Sequence, residues 1–299
     1  SGNSAAQGAG LCTTSSGNVV MNHSTVANNT SSGVGINQMN AIAGGVNMDA
    51  GDLSISNTIV AYNNPADCAV NGGTFVATTS LDEDGSCRAL HGGFTTSGNI
   101  NLNPTLALNG GRTETHALIP PSDAIDQVPV TVMSDQRGVS RPLGGGEGGS
   151  MSDIGAVEYN NNGVLGFTQI GFAEFEDRGP EVVSVRRSDG TSGAVSVDVR
   201  IRQDRGDRAQ PIIDYDVPGA VFDVDDDDHV LTLNWANGEG GIKSFNVDLV
   251  DDNINEGLAE TTTMGLQNGT GGVSLTNTLV KLGILDPAAA AAVEAFFRG

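Results

Sequence analysis

Apolar residues in this chain fall into short runs that alternate with polar residues, and glycine or asparagine separates the runs. Residues 17–29 (GNVVMNHSTVANN) share this pattern with 51–63 (GDLSISNTIVAYN) at a shift of 34, and 8–12 matches 43–47 at a shift of 35. A fixed period of short strands is typical of stacked β-coils, and asparagine at a repeated corner tolerates left-handed backbone and can stack as an amide ladder. We predict the end of a right-handed parallel β-helix over residues 1–160, with a hairpin array as the alternative.

The repeat fades after residue 63. Residues 104–126 contain prolines, which do not fit into central strands. Residues 135–159 have the irregular, glycine-rich pattern of a segment that covers the last coil of a solenoid. Residues 159–166 (YNNNGVLG) are predicted to be a linker.

A different alternation begins at Gly171. Short segments with period two, divided by Gly, Asp and Asn, indicate an antiparallel, immunoglobulin-like β-sandwich over residues 161–286. The predicted strands lie in GFAEFED, PEVVSVRR, GAVSVDVRIR, HVLTLNW, KSFNVDLV, ETTTMGLQN and LTNTLVKLGIL. Residues 287–299 form an alanine-rich tail or linker, too short to span a bilayer. The predicted fold class is therefore all-β.

The net charge of −22 narrows the possible partners. It excludes the basic face that nucleic-acid binding needs and disfavours anionic lipid surfaces. Aromatic residues make up only 4% of the chain, so platforms for stacking sugars are few. We expect no nucleic-acid partner, no membrane insertion and no enzymatic activity, and we interpret the chain as a processed piece of a longer exported product.

Three cysteines bear on the compartment. Cys68 and Cys87 flank a loop-like stretch, whereas Cys12 stands in a strand-like run. A disulfide between the first two would fit an oxidising environment, and three unpaired thiols are the alternative.

Acidic residues of the second domain gather where strands end. They follow the predicted strands as Glu176 and Asp177, Asp204 and Asp207, Asp214 and Asp216, Asp251, Asp252 and Glu256, and Asp286. Carboxylates that share one end of a sandwich repel each other, and Ca²⁺ with six to eight oxygen ligands relieves the repulsion. Mg²⁺ dehydrates more reluctantly, and the lack of nearby His or Cys disfavours zinc and copper. A solvated acidic loop end is the alternative.

Other polar groups have plainer interpretations. The run Asp225–Asp228 cannot converge on one ion, because adjacent strand residues point to opposite faces, so we expect a solvated loop. His116 has no partner nucleophile in a recognisable motif, and His23 takes the corner position that Asn57 has in the second repeat. Asp135 and Asp153 stand close in sequence to Arg137 and Arg141, which favours ion pairs over acid–base catalysis.

The first domain resembles the C-terminal end of large secreted bacterial β-helix proteins, the CSLREA or choice-of-anchor Q type. The matching segments are NTIVAYN (57–63), DC (67–68), GGRTETHALIPPSDAID (110–126), DQRGVSRP (135–142) and SDIGAVE (152–158). The resemblance implies an exported, surface-associated parallel β-helix, often followed by further extracellular modules.

The second domain resembles a Calx-β domain, the calcium-regulatory module of sodium–calcium exchangers. The marks are Glu176–Gly179 with VVSVRR, Asp214–Tyr215, NGEGGIKSFNV (237–247) and DDNINE (251–256). The resemblance implies calcium ligands at Glu176, Asp204, Asp251, Asp252, Glu256 and Asp286. The chain departs from the family pattern at Ala259, where a second Glu is common, and in the turn DRGDRA.

Together these patterns predict a secreted structural or adhesive protein of a bacterial surface or matrix, with Ca²⁺ bound in the sandwich. Its expected partners are copies of itself, through filament assembly, or other surface and matrix components. The alternative is a carbohydrate-active or glycan-binding β-helix protein whose cleft lies upstream.

Overall fold

The computed structural model describes residues 1–33, 42–143, 151–203, 209–251 and 259–287. The chain divides into two compact units, the first comprising Ser1–Ala107 and Thr115–Tyr159 and the second comprising Leu108–Glu114 and Asn160–Gly299. The predicted domain boundary after residue 160 is one residue away, but the short segment Leu108–Glu114 belongs to the second unit. Within the described ranges, no helix has the length and apolar character needed to cross a membrane.

The described residues of the first unit form fourteen short strands and one helix. In chain order they are β1 Ser4–Ala5, β2 Leu11–Thr13, β3 Asn18–Asn22, β4 Thr25–Ala27, β5 Thr30–Ser31, β6 Val46–Met48, β7 Asp52–Ser56, β8 Ile59–Ala61, β9 Cys68–Val70, β10 Thr74–Thr78, β11 Ser80–Asp82, α1 Ser86–Leu90, β12 Phe94–Thr96, β13 Val128–Pro129 and β14 Met151–Ser152.

Besides the short parallel pair β1–β5, the described residues of the first unit form three larger parallel sheets, in the orders β2-β6-β9, β3-β7-β10 and β4-β8-β11-β12. Leu11 pairs with Val46, Val19 with Leu53, and Thr25 with Ile59. These pairs reproduce the shifts of 35 and 34 in the sequence. The structure therefore shows parallel strands from successive coils stacked in register, which confirms the all-β class; right-handed winding stays a prediction.

Close stacking of the coils explains two of the repeated glycines. A Cβ atom on Gly10 would lie 2.6 Å from the carbonyl oxygen of Gly45, and one on Gly45 would lie 2.4 Å from that of Asp67. Side-chain volume is excluded at this corner because each coil touches the backbone of the next.

The corner that follows β3 is left-handed, and so are the matching corners that follow β7 and β10, with φ of 45° at His23, 48° at Asn57 and 42° at Thr79. The prediction that His23 is a corner residue is confirmed. Left-handed backbone costs free energy at non-glycine residues. Because the same conformation recurs at matching positions, we infer that the turn between the two strands of each coil requires it.

The expectation that the repeat fades after residue 63 is wrong, because a further coil stacks in register. Asp52 pairs with Thr74 and Ile59 pairs with Leu81, each 22 residues later in the sequence. This coil is shorter than the one before it. The change of period hid it from a search at a fixed shift.

The segment after the last coil covers it and then turns back. The amide of Ile119 donates to the carbonyl of Asn101, which places 117–123 against the last coil. Further on, the amide of Gly155 donates to the carbonyl of Asn57, and that of Ala156 to the hydroxyl of Thr25. Residues 151–159 of this segment therefore contact the first two coils through Gly155 and Ala156, while Ile154 packs in one cluster with Leu81 of the third coil.

In the second unit, the part that the structure describes forms eleven strands and one 3₁₀ turn. They are β15 Val164–Phe167, β16 Phe172–Phe175, the turn Glu176–Arg178, β17 Glu181–Ser188, β18 Val195–Arg202, β19 Tyr215–Asp216, β20 Val221–Asp223, β21 Asp228–Trp235, β22 Gly241–Leu249, β23 Glu260–Gln267, β24 Ser274–Leu275 and β25 Leu279–Leu285.

These strands form two sheets, in the orders β19-β22-β17-β15-β24 and β16-β25-β23-β18-β21-β20. Alternate residues of both sheets meet in one core around the fully buried Trp235. All seven predicted strands are present. Two details differ: β15–β24 and β16–β25 are parallel pairs, and the predicted linker over 159–166 ends in the buried strand β15.

Candidate functional site

One edge of the six-stranded sheet brings two predicted ligands together. The parallel strands β16 and β25 end side by side, with Phe175 paired to Leu285. The next residue of each strand is Glu176 and Asp286, which are only 8% and 6% exposed. Two nearly buried carboxyl groups therefore leave adjacent strands at the same level of the sheet.

The neighbouring strands reach the same edge. Glu260 pairs with Ile284, so β23 begins beside the end of β25, and Arg202, at the end of β18, pairs with Thr263 of β23. Glu260 therefore begins its strand at this edge, next to the strand that leads to Asp286.

The five-stranded sheet contributes further acids to this end of the unit. Glu181 pairs with Val247, and β22 continues to Leu249, two residues before the exposed Asp251. Burial, and then the negative charge of Glu174, raise the pKa of Glu181. The carboxyl groups of Glu174 and Glu181 are therefore close enough to repel each other, and they add negative charge to this end of the second unit.

The remaining predicted ligands, Asp204, Asp252 and Glu256, lie outside the described residues. In the part of the chain that the structure describes, no group of three or more His, Cys, Asp or Glu side chains is arranged to hold a metal ion. The described donors at this edge are carboxylates, and this chemistry fits a hard cation such as Ca²⁺.

The aspartate run lies at the same end of the six-stranded sheet, where Asp228 pairs with Arg202, and it behaves differently from the prediction. Residues 225–227 are exposed in a turn, as expected of a solvated loop, but Asp228 is buried and begins β21. Arg200 forms ion pairs with Asp228 and, at 2.8 Å, with Asp226. The pairing of Arg200 with Val230 of β21 brings its side chain next to Asp228, two residues before Val230.

Buried ion pairs organise the covering segment of the first unit, as the sequence predicted. Arg137 contacts Asp135 at 2.8 Å and Arg141 contacts Glu158 at 2.7 Å, and all four side chains are almost fully buried. Burial, and then the negative charge of Glu158, raise the pKa of Asp153 to about 7. These contacts hold the segment together and leave no free acid–base pair among the five groups.

The predicted disulfide is present in the first unit. Cys68 and Cys87 are joined with a Cα–Cα distance of 4.9 Å, which ties β9 to α1, while Cys12 is half-buried and unpaired. The carboxyl group of Asp82 accepts hydrogen bonds from the amides of Cys87 and Arg88 at the start of α1. The helix is therefore fixed at its first turn by both a covalent and a polar contact.

The fold and the clustered acids define an all-β protein whose second unit is a two-sheet sandwich with a carboxylate-rich edge. Similar solved structures include the apo-form Calx CBD1 domain (21% identity, TM-score 0.33, covering 41% of this chain and 95% of that one) and the Calx CBD2 domain (14%, 0.34, 46% and 96%). The calcium binding domain CBD12 of CALX1.1 is similar too (21%, 0.33, 41% and 44%). No protein-family model and no curated protein matches the chain.

Proposed function

We propose that the second unit is a Calx-β-type module that binds Ca²⁺ at the edge where Glu176 and Asp286 lie. The observation that supports this is the register of β16 and β25, which puts two nearly buried carboxyl groups on adjacent strands. Two ionised carboxyl groups at one edge of a sheet repel each other, and a cation bound between them would relieve the repulsion. The donors at this edge are carboxylate oxygens, and Ca²⁺ binds such oxygens in irregular geometry.

The role of the ion is to link loops that would otherwise repel each other. Glu176 ends β16 and leads into β17 of the other sheet, whereas Asp286 follows the last strand. A cation held between these termini joins the two sheets and the chain exit. We expect it to stiffen the sandwich against pulling, as befits an extracellular structural part.

Calcium binding can be measured by calorimetry and by melting in EDTA or CaCl₂. We expect CaCl₂ to raise the melting temperature, since a ligand at a hundred times its Kd stabilises the folded state by about 2.7 kcal/mol. The double variant Glu176→Gln/Asp286→Asn should bind Ca²⁺ at least about tenfold more weakly, which corresponds to about 1.4 kcal/mol.

A matched control is Asp225→Asn/Asp227→Asn, which removes the same charge from the exposed turn. Asn also suits the positive φ of 51° at Asp227. The control should respond to CaCl₂ as the wild type does. If both double variants lose the rise in melting temperature equally, the effect of CaCl₂ depends on net charge and not on this site. If CaCl₂ leaves the melting temperature of the wild type unchanged, the proposal that this unit binds calcium is wrong.

We further propose that the whole chain is a secreted structural or adhesive protein of a bacterial surface or matrix, and not an enzyme. The support is the combination of a disulfide, a net charge of −22 and a stack of rigid parallel coils. Recovery of the native protein from the cytoplasm, or turnover on a panel of polysaccharides, would contradict this proposal.

A further inference from the structure

Strand β3 ends its sheet in the described part of the first unit. The sheet has the order β10-β7-β3, so β7 lies between two strands, whereas β3 pairs with β7 alone. Farther along the same coil, β1 covers β5. We call the uncovered side of Asn18–Asn22 the open edge. It belongs to the first unit and has no part in the proposed calcium site.

Backbone groups of β3 point out of the open edge. In a parallel ladder, every second residue of a strand bonds to the neighbour on a given side. The carbonyl of Gly17 accepts from β7 and the amide of His23 donates to β7, so residues 17, 19, 21 and 23 face that strand. The amides and carbonyls of Asn18, Val20 and Asn22 therefore face the open side. Such a row of hydrogen-bonding groups is a template for pairing with another chain.

The side chains at the open edge are less buried than those of the next coil. Val19 and Met21 point inward but are only half-buried, and they pack against the hydrophobic core of the coils. Their register partners on β7, Leu53 and Ile55, are each 1% exposed. On the outer face, Val20 is 76% exposed. A strand laid along the open edge would therefore remove apolar surface from water as well as pair the backbone.

The distribution of charge favours a second copy of this chain as the occupant. Sheet edges are commonly protected by charged side chains or proline, yet the first 48 residues contain no Asp, Glu, Lys, Arg or Pro. The whole chain carries −22, so two copies repel each other over most of their surfaces. A two-fold interface sets one surface against itself, and an uncharged strand is complementary to itself.

We propose that two copies of this chain associate through their open edges, with β3 of one copy antiparallel to β3 of the other. A two-fold axis at Val20 sets that residue opposite its counterpart and sets Asn18 opposite Asn22. These are the three residues whose backbone groups face outward, so each pair exchanges two hydrogen bonds. The two sheets then become one sheet of six strands, in which β3 is no longer an edge.

The test is light scattering of the full chain in EDTA over about a hundredfold range of protein concentration. EDTA keeps the proposed calcium site out of the measurement, so either proposal can fail without the other. We expect the mass to rise from that of one chain to that of two, and hydrogen exchange of the amides of residues 18, 20 and 22 to slow over the same range. NaCl should strengthen the association, because it screens the repulsion between two acidic chains and the interface has no ion pair to weaken.

Val20→Lys should raise the Kd of the dimer at least about tenfold, because the two-fold axis sets the two lysines directly opposite each other. Val76→Lys is the matched control: it makes the same change in the same row of the sheet, but on β10 at the other end, and its dimer should be as stable as that of the wild type. If Val20→Lys fails to fold by circular dichroism, hydrogen exchange of the wild type decides, since slower exchange at β3 is expected. The mass of one chain at every concentration, slower exchange only outside β3, weaker association in NaCl, or equal loss of the dimer in Val76→Lys would each overturn the proposal.

Discussion

At the scale of single residues, the most consequential group is His23. It is a corner residue with positive φ, and its side chain is 8% exposed. The positive charge of Arg141 is close enough to disfavour protonation of the imidazole. Burial, and then the positive charge of Arg141, lower the pKa of His23 to about 4. The imidazole is therefore neutral at pH 7, and its protonation opposes the folded state.

The first prediction concerns pH. Because the pKa of His23 is about 6.5 in the unfolded chain and about 4 in the folded one, its contribution to stability is complete above pH 6.5. As the pH falls from 6.5 to 4 the unfolded chain binds the proton first, and about 3 kcal/mol is lost. Urea unfolding at several pH values should show this loss in the wild type and not in His23→Asn.

Two carboxyl groups act in the opposite direction, so the comparison must be a difference between variants. Burial raises the pKa of Asp67 to about 6 and that of Asp153 to about 7, and both favour the folded state more as the pH falls. They are common to the wild type and to His23→Asn. A difference in stability that does not change between pH 7 and pH 4 would contradict the prediction.

At the scale of structural elements, a ladder of buried amides joins the coils. The side chain of Asn29 accepts from Asn3 and donates to Asn63, which in turn donates to the carboxyl group of Asp67. The amide nitrogen of Asn63 also donates to the carbonyls of Val26 and Ala61. Each rung thus satisfies backbone groups at a corner where no strand pairing is available.

The second prediction is that Asn63→Ala breaks the ladder. The backbone amide and the side-chain amide of Asn29 both lose their acceptor, and each buried unsatisfied donor costs about 1–3 kcal/mol. Denaturant unfolding should show at least about 2 kcal/mol of destabilisation. Asn18→Ala, on the exposed first residue of β3, is the control and should change stability by less than about 0.5 kcal/mol.

The sequence predicted the elements whose pattern is local and repeated. The strands of the sandwich and the first two coils follow from period two and from the shift of 34, and the ladder follows from asparagine at equal corners. The third coil escaped because its corner residue is Thr79 and its period is 22 residues. The burial of Asp228 escaped because it depends on Arg200, which is distant in sequence.

The candidate calcium edge was predictable in composition but not in geometry. Acids at strand ends are visible in the sequence, whereas the parallel pairing of β16 with β25 is a long-range feature that no local pattern encodes. That pairing, and not the acidic count, is what brings Glu176 to the level of Asp286.

At the scale of the whole molecule, the chain consists of two units with separate hydrophobic cores. The covalent cross-link Cys68–Cys87 belongs to the first, whereas the single tryptophan, Trp235, is buried in the second. Residues 117–123 form backbone hydrogen bonds with residues 99–103, so a second copy that stacked on this part of the first unit would have to displace them.

The third prediction uses this separation of probes. Replacing both cysteines by serine (Cys68→Ser/Cys87→Ser) opens a link across 19 residues and should cost the first unit about 3 kcal/mol. Trp235 fluorescence reports the second unit alone, so its unfolding midpoint should stay constant while circular dichroism records an earlier loss of β structure. CaCl₂ should have the opposite effect. Binding at Glu176 and Asp286 should raise the unfolding midpoint reported by Trp235 fluorescence and leave the stability of the first unit unchanged. A Trp235 midpoint that follows the cysteine substitution would mean that the two cores unfold as one, and calcium bound to the sandwich would then stabilise the coils as well.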